Sequence, residues 1–122
     1  MIIDSNILID FLKGNPNAIE FISQFDAIIT SVVAISELYA GIISKNEMRE
    51  LNEFLETSVE QIPVSVEIAK EAGLLRKQYG KSHGIRLPDA FIAATAIKRN
   101  LPVASLNKKH FSILTDNLIV PY

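Results

Sequence analysis

The opening stretch Met1-Ile2-Ile3-Asp4-Ser5-Asn6-Ile7-Leu8-Ile9-Asp10-Phe11-Leu12 decides the architecture. Met1 to Ile3 is a short apolar run with no room for a helix before the polar cluster Asp4-Ser5-Asn6. Beyond that cluster, Ile7, Leu8, Phe11 and Leu12 recur at helical spacing until Gly14. A strand, a polar junction and a helix in direct succession are the start of an alternating α/β chain, and the residues downstream repeat the alternation.

Asn15-Pro16 places a capping side chain before a proline at the first helical position, and Ile19, Ile22 and Phe25 supply the apolar face of a second helix ending at Asp26. Ala27 to Ile29 reads as a buried strand. Thr30-Ser31 then offers the cap for a helix through Val33, Ser36, Glu37, Leu38 and Ala40 to about Ile43. Asn46 is expected to cap the next helix, with Met48, Leu51 and Leu55 inward and Glu47, Glu50, Glu53 and Glu56 toward water. Val59 to Val64 reads as a weak strand, and Ser65 caps a long helix with Ile68, Ala72, Leu75 and Tyr79 on one stripe. Leu87-Pro88-Asp89 opens an alanine-rich helix, Ala90 to Lys98, suited to close packing on a sheet. A strand from Val103 to Leu106, a short turn through Phe111 and a last strand, Leu118 to Val120, complete the order. The expected fold is a mainly parallel sheet flanked by helices on both faces, in three α/β/α layers.

With 122 residues, one domain spanning 1–122 is expected. Hydrophobic residues at 48% and charged residues at 21% exclude a disordered or low-complexity chain. The absence of cysteine excludes a disulfide framework, a thiolate metal site and a cysteine nucleophile, and suits the cytoplasm. Neither a signal peptide nor a membrane span is legible. The net charge of −2 hides a polarised chain: residues 70–109 carry nine lysines and arginines against Glu71 and Asp89, and the acidic excess lies elsewhere.

In an open parallel sheet, ligands gather beyond the carboxyl ends of the strands. Asp4 follows the first strand, Glu37 sits in the helix after the second, and Asp89 lies in the first turn of the helix that precedes the strand at Val103. Each has apolar neighbours. Three carboxylates buried together need a compensating cation, and Mg²⁺ or Mn²⁺ provides it with hard oxygen coordination.

The sequence resembles the PIN-domain ribonucleases, and among them the VapC-type toxins of bacterial and archaeal toxin–antitoxin pairs. The likeness is carried by Ile2-Ile3-Asp4-Ser5-Asn6, by Ser36-Glu37-Leu38 with Gly41, by Leu87-Pro88-Asp89-Ala90-Phe91-Ile92-Ala93-Ala94-Thr95-Ala96, and by Ala104-Ser105-Leu106-Asn107 with His110-Phe111. It runs from Ile2 to about Pro121. The resemblance implies a PIN fold, a Mg²⁺ or Mn²⁺ site, endonucleolytic cleavage of RNA, a small antitoxin partner and a homodimer. It places the family's acids on Asp4, Glu37 and Asp89, with polar helpers on Ser5 and Asn6. At the fourth position, where many members have an aspartate, Asn107 and His110 stand instead, so one tightly held metal is expected.

The corresponding chemistry is hydrolysis by a metal-activated water, with no covalent nucleophile. Asn6 is expected to hold Asp4 or the scissile phosphate, Ser5 to do the same more weakly, and Asn107 to touch the metal's waters. Arg86 is the arginine expected nearest the cleavage site, with Lys108 a weaker phosphate contact. An antitoxin finds apolar helices at Ile19 to Phe25 and Val33 to Ile43. A rival reading is a non-catalytic metal-binding module with a regulatory role, motivated by the missing fourth acid. A phosphoacceptor receiver is disfavoured because Asp4 stands alone after the first strand, and nucleotide enzymes because no Gly-rich phosphate loop occurs.

Overall fold

The computed structural model describes residues 1–122. Five strands form one sheet: β1 (Ile2–Ile3), β2 (Ile28–Ser31), β3 (Val59–Ile62), β4 (Val103–Ala104) and β5 (Leu118–Ile119). Their spatial order is β3-β2-β1-β4-β5 and every pairing is parallel, with Ile2 opposite both Ile29 and Val103. The chain therefore builds outward from β1 to β3 on one side, then crosses back to lay β4 and β5 on the other. The reversal of strand order falls between β1 and β4, where a crevice opens at the carboxyl ends of the two strands.

Seven helices cover the sheet: α1 (Ser5–Leu12), α2 (Pro16–Ile22), α3 (Val32–Ala40), α4 (Lys45–Ser58), α5 (Val66–His83), α6 (Leu87–Arg99) and α7 (Lys108–Leu114). Because successive strand residues point to opposite faces, Ile2 and Val103 enter one core while Ile3 and Ala104 enter the other. The first core takes Ile68, Ala72 and Leu75 of α5, the run Ala90, Ile92, Ala93, Ala94 and Ala96 of α6, and Phe111 and Leu114 of α7. The second takes Ile7 and Leu8 of α1, Ile22 of α2, Leu38 of α3 and Leu51 and Leu55 of α4. These are the three α/β/α layers expected from the alternation. No helix is long and apolar enough to cross a membrane.

Local chemistry accounts for most boundaries. Asn15 accepts from the amides of Asn17 and Ala18 ahead of Pro16, Ser31 from that of Val33, and Ser65 from that of Ile68. Gly84 ends α5 in the left-handed region at φ 65°, which glycine enters without a Cβ penalty.

Several boundaries differ from the sequence expectation. The cap of α4 is Ser44, not Asn46: Ser44 Oγ accepts from the Glu47 amide at 3.1 Å, and Glu47 reaches back to accept from the Ile43 amide at 2.9 Å. Met48, expected inward, is 41% exposed in the first turns of α4, and the buried stripe is Leu51 and Leu55. The second strand covers Ile28–Ser31 rather than Ala27 to Ile29, since pairing with β3 extends through Ser31. Helix α3 stops at Ala40, and β4 covers only Val103 and Ala104, although the Ser105 amide still donates to Ile119 of β5 while its side chain bonds Asp4. The turn expected through Phe111 is the helix α7, capped by Asn107.

Candidate metal and phosphate site

Asp4 is the residue at which β1 becomes α1. It caps α1 in extended conformation, and its Oδ1 accepts from the Ser5 amide at 2.8 Å. Its Oδ2 accepts from Ser105 Oγ at 2.6 Å, across the crevice from the end of β4. Both residues are buried. Ser105 has a further role: its Oγ accepts from Asn6 Nδ2 at 3.4 Å and from the Asn107 amide at 2.9 Å. Asn6 Oδ1 in turn accepts from the Leu106 amide. The helper residue Asn6 thus acts on Asp4 through Ser105 rather than by direct contact.

Glu37 projects from the middle of α3 and its Oε1 accepts from Ser5 Oγ at 3.1 Å. Asp89 is buried in the first turn of α6, where the unpaired amides of a helix start favour a carboxylate. Arg86, the residue before that helix, places Nη2 3.5 Å from Glu37 Oε2 and 3.6 Å from Asp89 Oδ1. On the far side, His110 Nδ1 stands 3.1 Å from Asp89 Oδ2 and 3.0 Å from Asn107 Nδ2. A protonated Nδ1 donates to the carboxylate, whereas an unprotonated one accepts from the amide. Asn107 Oδ1 caps α7 by accepting from the His110 amide, and Lys108 is exposed on the first turn of that helix.

The crevice therefore joins Asp4, Ser5, Glu37, Arg86 and Asp89 through direct polar or ionic contacts, with Asn6 and Asn107 linked through Ser105. Lys108 flanks it. Two members, Ser105 and His110, belong to the stretches that carry the resemblance but were given no site role from the sequence. Ser105 had a legible signal, because it follows β4 as Asp4 follows β1. His110 was legible only as standing with Asn107 at the fourth position, where its nitrogen is a ligand that hard Mg²⁺ disfavours, and nothing in the sequence pointed to its contact with Asp89. Of the remaining basic residues in the polarised segment, Lys70, Arg76, Lys77 and Lys81 lie along the exposed side of α5.

Burial is the main cause that pushes the Asp4 carboxyl up from 3.8 to about 6. The hydrogen bonds from Ser105 and the Ser5 amide oppose it, while the charges of Asp89 and Glu37 add to it. Negative charge at the crevice thus exceeds what Arg86 neutralises. In kind and in charge the donors fit a hard divalent cation: three carboxylates, all oxygen, around one crevice. Their spacing is not that of a closed ligand set, because no three acidic or histidine side chains gather as one and a guanidinium lies between Glu37 and Asp89.

A parallel α/β sheet with an acidic crevice at its switch point defines the class as a carboxylate-site α/β protein. Residues 1–115 match the PIN domain family, and the chain belongs to it. Over nearly the whole of both chains it is similar to "Ribonuclease VapC19" of Mycobacterium tuberculosis, with 35% identity over 126 residues covering 99% of this chain and 98% of the relative. Among solved structures it is similar to a toxin–antitoxin complex from Klebsiella pneumoniae, with a TM-score of 0.85 and 27% identity over 99% of this chain and 97% of that one. FitAcB from Neisseria gonorrhoeae shares the fold at a TM-score of 0.78 and 24% identity, covering 98% and 96% of the two chains.

Proposed function

We propose that this protein is a metal-dependent endoribonuclease that hydrolyses RNA phosphodiester bonds and serves as the toxin of a toxin–antitoxin pair. The observation that carries the reading is the convergence of Asp4, Glu37 and Asp89 on the crevice beside Ser5 and Arg86. Membership of the PIN family supports it, as do a full-length relative named a ribonuclease and a structural neighbour that is a toxin–antitoxin complex.

Asp4, Asp89 and Glu37 would hold Mg²⁺ or Mn²⁺. When bound, such an ion acidifies a water and screens the charge that develops on the scissile phosphate. The chain's own residues do the rest. Ser105 and the Ser5 amide hold both oxygens of Asp4 in place. Asn6 and the Asn107 amide fix Ser105 in turn, so the carboxylate meets the metal preorganised. Arg86, 61% exposed at its side chain, and Lys108 face solvent where an RNA phosphate approaches, with Ser5 and Asn107 nearer the acids. The partners follow from the same reading: RNA as substrate, a cognate small antitoxin and a second copy of the chain.

The test is cleavage of a small-RNA pool by the purified, partner-free protein, with and without Mg²⁺ or Mn²⁺, beside Asp89→Asn. Metal-dependent products bearing 5′-phosphates, absent with the variant, are expected. Products ending in 2′,3′-cyclic phosphates would refute hydrolysis. A protein that binds Mn²⁺ but leaves every RNA intact would instead favour the non-catalytic module, the reading to which Asn107 lends weight by acting as a helix cap where an acid is usual.

Ser105→Ala is expected to lower cleavage by about 10- to 100-fold, the usual cost of losing a hydrogen bond that orients a metal ligand. The Asp4 midpoint, read by carbon NMR in the metal-free variant, should rise further because the Ser105 hydroxyl opposes the upward shift. An unmoved midpoint would remove Ser105 from the site.

A further inference from the structure

Arg86 is held at its backbone, while its side chain is largely exposed. Ile85, just before it, is 1% exposed and locked in the core, and Arg86 itself precedes α6 in extended conformation with no capping hydrogen bond from its side chain. The guanidinium bridges Glu37 of α3 and Asp89 of α6 at 3.5 and 3.6 Å. Charge-assisted hydrogen bonds run about 2.7–2.9 Å, so this bridge is one of charge rather than of tight bonding. Its counterpart side chains differ in burial: the side chain of Asp89 is 4% exposed and that of Glu37 25%. A cation that stays mostly in water while neutralising a buried acid is poised to leave when a stronger cation arrives.

We propose that Arg86 is a built-in competitor of the divalent ion, neutralising Glu37 and Asp89 in the metal-free protein and swinging to solvent when the ion binds, where it engages an RNA phosphate. The inference rests on the reading of Asp4, Glu37 and Asp89 as a metal site. A divalent ion contacts carboxylate oxygens at about 2.0–2.6 Å, so it cannot share the same two oxygens with a guanidinium lying in the gap between them. The exchange also has an electrostatic reason: the incoming ion brings two positive charges where Arg86 supplied one, and the displaced guanidinium is repelled toward the open mouth of the crevice. Metal loading and phosphate capture are thereby linked through one side chain, since whatever draws Arg86 outward also uncovers the metal oxygens.

This competition gives Arg86 two effects of opposite sign, weakening metal binding and strengthening RNA binding, which a simple phosphate contact alone does not produce. Mn²⁺ binding is measured by electron paramagnetic resonance of the free ion on wild type, Arg86→Ala, Arg86→Gln and Asp89→Asn, with thermal melting as a fold control. Both Arg86 variants are expected to bind Mn²⁺ about tenfold more tightly than wild type. In cleavage assays they should reach half-maximal rate at lower Mn²⁺ while KM for RNA rises. Unchanged or weaker Mn²⁺ binding in folded Arg86→Gln overturns the competition, even if KM rises. Absence of Mn²⁺ binding in wild type and in all variants overturns the metal site itself, and the competition with it.

Discussion

Asp4→Asn is expected to melt higher than wild type at pH 7.5 in the absence of metal, while losing RNA cleavage by about 10³-fold or more. The two effects share a cause. In the unfolded chain the Asp4 carboxyl titrates near 3.8, and in the folded protein burial has pushed it up to about 6. The folded state therefore holds the proton more firmly, so stability rises as pH falls through about 6 and levels off below 3.8. At pH 7.5 the buried charge costs up to about 3 kcal/mol by that difference. Asparagine removes the charge and keeps an oxygen to accept from the Ser5 amide, while the Ser105 hydroxyl rotates to accept from the new amide. A gain of about 1–2 kcal/mol, or roughly 4–8 °C in Tm for a chain of this size, is expected at pH 7.5 and should vanish near pH 4. On the proposed reading of Asp4 as a metal ligand, the loss of activity follows from losing that ligand. Melting curves in EDTA at the two pH values check the first half. A variant that melts lower than wild type at pH 7.5 would mean that the metal-free crevice already compensates the Asp4 charge.

Phe111→Ala is expected to cost about 3–5 kcal/mol, a large share of the 5–15 kcal/mol that holds a domain of this size together. Phe111 is fully buried, and α7 packs on α5 and α6 through it and Leu114. The damage should not stay in the core. Asn107 and His110 ride on the same helix, and the Asn107 amide bonds Ser105 Oγ, which orients Asp4. Urea unfolding should show a much lower midpoint for Phe111→Ala, with most of the loss restored by Phe111→Leu. A small shift would mean that α7 contributes little to the core.

That helix is also where sequence reading stopped short. Asn107-Lys108-Lys109-His110 presents four polar residues in a row, and in so short a segment only Phe111 and Leu114 turn inward, too few to set a period. The start of α4 was misplaced for a related reason, since Ser44 and Asn46 are both good caps. The choice between them rests on Glu47 reaching back to the Ile43 amide. By contrast, Asp4, Glu37 and Asp89 were legible because carboxylates among apolar residues after strand ends are costly unless they serve a purpose. The bridge from Arg86 to both Glu37 and Asp89 was not, because residues 37 and 86 meet only once α3 and α6 pack in the folded chain.

The contact between Asp4 and Ser105 joins positions 101 apart in sequence, across neighbouring strands laid down at opposite ends of the chain. Closing so large a loop is slow and must precede any reward from the contact. The crevice is therefore completed only once β4 has joined the sheet: a chain that stops short of it carries Asp4 but lacks the hydroxyl that aims it. A fragment ending anywhere before β4 is thus a blunt tool, because it holds the acid without the group that aims it.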